Sequence, residues 1–135
     1  MDKTTITHEL HFGVRDYELD LQGIVNNANY MNYLEHARHE FLNQCGINFQ
    51  QLHNDGYDAV VVRAEMDYKK SLKSGDMFVV KSSAYREGRL KIVFHQQIIR
   101  ESDKALILEA RIFTACIHKN RPVEPIFILE KVGLI

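Results

Sequence analysis

An α+β fold, with one long helix laid against a mostly antiparallel sheet, is what this sequence predicts. Three observations carry the expectation. A single segment, around residues 30 to 45, has its apolar residues at helical spacing. From Tyr57 to His118 the chain runs in strand-like stretches broken by short polar turns. Those stretches follow one another without an intervening helix, as strands do when they pair antiparallel. The helix has to bury its apolar stripe, and the concave face of a twisted sheet is the only large apolar surface on offer.

Each element can be justified in order. Between Thr4 and Arg15, the residues His8, Leu10, Phe12 and Val14 share one face of a strand. The polar turn RDYELDLQG follows, and then the helix, expected at about residues 27 to 45. Tyr30, Leu34, Ala37, Phe41 and Cys45 recur at steps of four, three, four and four, while Asn32, Glu35, His36, His39 and Asn43 fall mainly on the other side. Asn26 or Asn27 is the natural N-cap, and Gly46 stands where a left-handed residue ends a helix. Four strands follow at about 57–70, 77–87, 89–101 and 104–118, punctuated by Ser74-Gly75-Asp76, Glu87-Gly88 and Ser102-Asp103. In the third of them Leu90, Ile92, Phe94, Gln96 and Ile98 take one face, and Lys91, Val93, His95 and Gln97 the other. The tail EPIFILEKVGLI is too apolar to lie exposed, but its pattern assigns no element.

Bulk properties bound the class. At 135 residues the chain is expected to form one domain, 1–135. Hydrophobic residues at 45% and charged residues at 26% belong to a folded globular protein rather than a disordered one. With a net charge of -1 and no basic run longer than a pair, nucleic-acid binding is not expected. The start MDKTTITHEL has no apolar signal core, and no apolar run approaches the roughly 18 residues of a membrane span. Cys45 and Cys116 read as free thiols, and the expected compartment is the cytoplasm.

One stretch asks for more than a turn, Asp20 to Tyr30, DLQGIVNNANY. An acid, a glycine and three asparagines lead directly into the helix, where ordinary turns need one or two such residues. With this motif, the preceding HFGVRDYELD, and Tyr68 ahead of Ser74-Gly75-Asp76-Met77, the chain resembles the hotdog fold: a curled antiparallel sheet of about five strands wrapped around one central helix. More narrowly, it resembles the 4-hydroxybenzoyl-CoA thioesterase-like branch of acyl-thioester hydrolases. The motif is also similar to that of plant acyl-ACP thioesterases, but their histidine before Val-Asn-Asn is Ile24 here. That speaks against an Asn/His-assisted mechanism and leaves the bacterial acyl-CoA pattern as the better fit.

The resemblance implies an acyl-CoA thioesterase that works with water and no cofactor. Asp20 would attack the thioester carbonyl or draw a proton from an attacking water. The Asn27 backbone N–H, at the positive end of the helix, would hold the developing oxyanion, a contact worth about 3 kcal/mol of barrier. Gly23 would let the turn bend and the substrate approach the backbone. Val25, Asn26, Asn29 and Tyr30 follow as substrate contacts, against capping for the asparagines and core packing for Tyr30. For an isolated DxxG the reading would be a plain turn acid, and Asp16 is the rival within the same turn. His36 and His39 stand at i, i+3, but EHARHE is not the HExxH order, so no metal is expected. Lys69, Lys70, Lys73, Arg86 and Arg89 near strand ends are candidates for coenzyme A phosphates, with solvated charge as the alternative. The expected partners are an acyl-CoA or acyl-ACP substrate, no nucleic acid, no membrane, and a second copy in a homodimer or homotetramer with the acyl site at the seam. The rival functions are an acyl-ACP thioesterase, a hotdog hydratase and a non-catalytic acyl-thioester-binding protein. The hydratase would need a histidine that the DLQG turn lacks.

Overall fold

The computed structural model describes residues 3–135; Met1 and Asp2, the first residues of the expected domain, lie outside the described residues. The chain runs β1 (His8–Gly13), a 3-10 turn (Asp16–Glu18), α1 (Asn27–Gln44), α2 (Phe49–Asn54), β2 (Tyr57–Tyr68), β3 (Met77–Glu87), β4 (Lys91–Arg100), β5 (Leu106–His118), β6 (Arg121–Val123) and α3 (Ile126–Val132). The strands form one antiparallel sheet in the order β1-β3-β4-β5-β2, with the short β6 paired to the end of β5. The sheet curls around α1, giving the hotdog architecture.

Strand pairing follows from the turns. Gly75 and Gly88 take left-handed φ values of 79° and 61° at the entries to β3 and β4, where a side chain would be strained. Lys119 and Asn120 take φ 51° and 62° and close the tight β5–β6 hairpin. Core and solvent faces then alternate along β4, with Ile92, Phe94, Gln96 and Ile98 buried toward the helix. Val93, expected on the outer face, is buried as well, because its register partners Tyr85 and Phe113 flank it and Arg63 and Arg111 lie over the Phe113 ring.

The helix ends almost where its pattern put it. Asn26 is the N-cap, its side-chain oxygen accepting from the Ala28 N–H at 2.9 Å, and Gly46 turns left-handed after the Cys45 cap. Its buried stripe is wider than the apolar pattern alone, because Tyr33, Arg38 and Leu42 join Tyr30, Leu34, Ala37 and Phe41. Two helices are additions to the sequence reading. α2 is a short turn capped by Asn48. α3 is the tail: Ile128, Leu129, Val132 and Leu134 enter the same core as α1 and the sheet. Seven largely apolar residues have no polar face to set a period, so helix and strand look alike in the tail. No helix among the described residues is long and apolar enough to cross a membrane.

Candidate active site

The segment between β1 and α1 is tied to the body of the protein on two sides. On one side, the Glu18 carbonyl accepts both the Asn26 N–H at 3.0 Å and the Asn29 side-chain amide at 2.9 Å. On the other, Val25 N–H donates to the Leu72 carbonyl at 2.9 Å, Ile24 bridges to Lys73, and the Leu72 N–H donates to the Tyr30 hydroxyl at 3.0 Å. Within the turn, Leu19 and Val25 pair as a bridge and Asp20 N–H donates to the Ile24 carbonyl at 2.8 Å. Residues 19 to 25 therefore form a small closed loop clamped beside the helix start.

Asp20 sits half-buried at the neck of that loop. Its Oδ1 accepts the Gln22 N–H at 2.8 Å and, more weakly, the Ile24 N–H at 3.4 Å. Its Oδ2 takes no hydrogen bond among the described residues, so the backbone orients one carboxylate oxygen and leaves the other without a partner there. Gly23 has φ 79°, which an L side chain adopts only with strain, and a Cβ there would meet nothing within 4 Å. The glycine is thus required by the bend of the loop, not by crowding within the chain.

Asn27 is the first residue of α1, and its N–H has no intrahelical acceptor by position. It is exposed and takes no partner among the described residues, and the helix dipole adds partial positive charge there. The three asparagines divide the work. Asn26 caps, Asn29 ties back to Glu18, and Asn27 presents a bare amide. Val25 and Tyr30 are core residues at 2% exposure each; the Tyr30 hydroxyl is engaged by Leu72 and its ring lies edge-on to Tyr68 at 5.7 Å. Burial pushes the Tyr30 phenol upward from its ordinary range.

Glu18 was not singled out in the sequence, yet the site hangs on it. Its carboxylate is buried and its Oε1 accepts the Arg15 N–H at 2.7 Å and the Tyr33 hydroxyl at 2.8 Å. Burial and that donation to a carboxylate hold the Tyr33 phenol far above its usual range. The local signal was present, a Glu three residues after Arg15 whose carboxylate accepts the Arg15 N–H while its own N–H donates to the Arg15 carbonyl across the 3-10 turn. Asp16, the rival acid, is exposed at the start of that turn. Among the cationic candidates, Arg86 is engaged by Glu124 and the Arg89 carbonyl, while Lys69, Lys70 and Lys73 are exposed. No three His, Cys, Asp or Glu side chains are grouped to hold a metal ion among the described residues.

The profile of the thioesterase superfamily matches residues 22–107. A chloroplastic acyl-acyl carrier protein thioesterase of Arabidopsis thaliana is 40% identical over 117 residues, covering 86% of this chain and 62% of the relative. This chain therefore spans less than two thirds of that plant protein's length. A long-chain acyl-CoA thioesterase of Escherichia coli is 30% identical over 105 residues, 77% of this chain and 78% of the relative. The solved structure of a 4-hydroxybenzoyl-CoA thioesterase from a Pseudomonas species superposes with a TM-score of 0.84 over 93% of this chain and 98% of that one, at 18% identity. At that identity the likeness is one of fold.

Proposed function

Because the chain belongs to the thioesterase superfamily, we propose that it hydrolyses an acyl thioester to a free acid and a thiol. Asp20 is the acid that acts and the Asn27 N–H is the group that polarises the carbonyl. The observation that carries this reading is the clamped loop, which spends one Asp20 oxygen on the backbone, leaves the other without a partner among the described residues, and runs directly into a helix start whose first amide is unpartnered among them.

Two balanced routes use these groups. In one, an Asp20 oxygen bonds to the carbonyl carbon, the thiolate leaves and takes a proton, and water then hydrolyses the mixed anhydride. In the other, Asp20 takes a proton from a water whose oxygen attacks the same carbon, and the proton passes to the leaving sulfur. Both consume one water and need no cofactor. In both, negative charge grows on the carbonyl oxygen, where a preorganised N–H stabilises the transition state more than the ground state.

The thiol is coenzyme A in the leading reading. The carrier-protein alternative gains weight from the plant relative, which is more similar to this chain than the Escherichia coli acyl-CoA thioesterase is. That similarity runs against the sequence-based preference for the bacterial pattern, which rested on Ile24 alone.

A second copy completes the assembly in this proposal. β2 is a twelve-residue strand at one edge of the sheet, and Val60, Val61 and Val62 on it are exposed. A long apolar edge invites strand pairing, and pairing β2 with its copy would cover these residues.

The test is release of free thiol from a panel of acyl-CoA and acyl-carrier-protein thioesters, with light scattering on the same preparation. Turnover lost in Asp20→Asn, with fold and substrate binding intact, supports the assignment. Binding without turnover in the parent protein points to a non-catalytic acyl-thioester carrier, and full activity in Asp20→Asn removes Asp20 from the mechanism. A monomer at micromolar concentration counts against the shared site.

A further inference from the structure

Arg38 is a buried cation with no ion-pair partner among the described residues. It lies on the sheet side of α1 at 5% exposure, and its one hydrogen bond among them runs from Nη1 to the Gln96 Oε1 at 3.0 Å. Gln96 is already committed, because its amide nitrogen donates to the Leu34 carbonyl at 3.0 Å and to the Ser82 hydroxyl at 2.9 Å. Among the described residues no carboxylate forms an ion pair with Arg38. Glu35, one turn away and exposed, is the acid whose field reaches it. A guanidinium has five N–H donors and stays charged, so most of its bonding capacity is unused.

Arg38 lines a space of about 330 Å³ between α1 and β2. The other walls are chiefly apolar, Met31, Leu42, Val60 and Phe94 among them, and Glu35 and His39 are the further ionisable groups that line it. Met31, one of its lining residues, is a single turn beyond the bare Asn27 amide. Arg38 stands eleven residues along the helix from Asn27, or roughly 16 Å at 1.5 Å per residue. An extended hydrocarbon with its carbonyl at Asn27 would reach that depth with on the order of a dozen carbons. Val60, on the edge strand, makes the outer wall.

We propose that this cavity takes the far part of the acyl chain, and that Arg38 selects acyl groups ending in a carboxylate, the mono-thioesters of long dicarboxylic acids. The inference rests on the thioesterase reading and names the substrate class of that site. Apolar walls suit the methylenes of any acyl group. A plain methyl end, however, would seal Arg38 away from water and give nothing in return. A carboxylate end gives the guanidinium the charge-assisted partner the chain itself lacks. Length decides the sign. A short dicarboxylic chain holds its second charge near Asp20 and is repelled, while a long one carries it to Arg38.

Matched pairs of plain and ω-carboxyl acyl thioesters, short to long, on whichever thiol donor the wild-type protein turns over, test this. The expected result is a crossover in kcat/KM. Short ω-carboxyl chains are disfavoured, and long ones are favoured by at least about tenfold, the discrimination of one charge-assisted contact, carried by KM. In Arg38→Met the long-chain preference disappears, and in Arg38→Lys part of it returns. The wild-type crossover needs no variant, so a poorly folding Arg38→Met does not remove the test. Thiol release without a crossover, or a folded Arg38→Met with the preference intact, overturns this inference and leaves the hydrolase reading standing. No release from any thioester overturns both.

Discussion

Two polar clusters lie on one helix, eleven residues apart, and they are built in opposite ways. At the start of α1, the partners of the polar groups are almost all backbone. Asp20 is held by Gln22 and Ile24, Asn26 by Ala28, and Asn29 by the Glu18 carbonyl. In the middle of α1, Arg38, Gln96 and Ser82 form one buried chain of side-chain hydrogen bonds from three separate elements, with most of the Arg38 donors left over. Backbone clamping orders a turn while leaving a carboxylate oxygen and an amide uncommitted. Side-chain clamping locks helix to sheet, and it costs stability heavily when one member is lost. The first arrangement suits chemistry, the second registry.

That contrast can be broken by measurement. The largest effect is expected for Asp20→Asn, which keeps an oxygen for the turn but removes the reactive charge. Turnover should fall by ~10³-fold, the usual scale for losing an acid–base group, with an unchanged thermal midpoint. A large loss of stability instead would mean the carboxylate is structural. Gln96→Leu should do the reverse. It strips Arg38 of its single partner and should cost about 3 kcal/mol, seen as a lower urea midpoint, with the turnover of short acyl thioesters retained. Third is Asn26→Ala, where loss of the cap should cost about 1 kcal/mol in urea unfolding. Activity should fall with it, because the helix start that presents Asn27 frays.

The smallest effect concerns His8. Its ring is buried, stacked on Phe41 at 5.5 Å, and neither ring nitrogen has a partner among the described residues. Burial lowers its pKa below the ordinary 6.5, against the opposing field of Glu40; Glu130, Lys131 and Cys45 line the adjoining cavity. The folded state therefore resists protonation while the unfolded chain accepts it. This contribution to stability is complete above pH 6.5 and declines as the pH falls below it, by at most about 1.4 kcal/mol per unit. Urea midpoints measured from pH 7.5 down to 5.5 should slope downward, and in His8→Leu the slope should shrink. An unchanged slope in His8→Leu would assign the effect elsewhere.

Local interactions were legible and distant ones were not. The Asp20 turn, the Asn26 cap and the Gly46 stop each involve groups within five residues, so residue type and spacing disclosed them. The β4 alternation placed Gln96 on the core face, but not the reason a polar residue belongs there, since Arg38 lies 58 positions away. Glu18 carried a local mark in its contact with Arg15, but its burial did not show, because its side-chain partner Tyr33 is 15 residues on, across a turn and two turns of helix. The tail showed that it must be buried without showing how, because an apolar run this short fits either period.

The sequence by itself determined one long helix on an antiparallel sheet and the sharp turn before the helix, while the hotdog likeness and the roles expected of Asp20 and the Asn27 amide came from resemblance to a family. Apolar periodicity, capping and turn chemistry act over a few residues and leave their marks in order. Only the tertiary structure decided that Glu18 anchors the turn, that Val25 and Tyr30 point into the core, and that a lone buried guanidinium faces an apolar cavity beside an open edge strand. Those outcomes depend on which segments far apart in the chain meet. The curl of the sheet sets that, and no short window of residues encodes it.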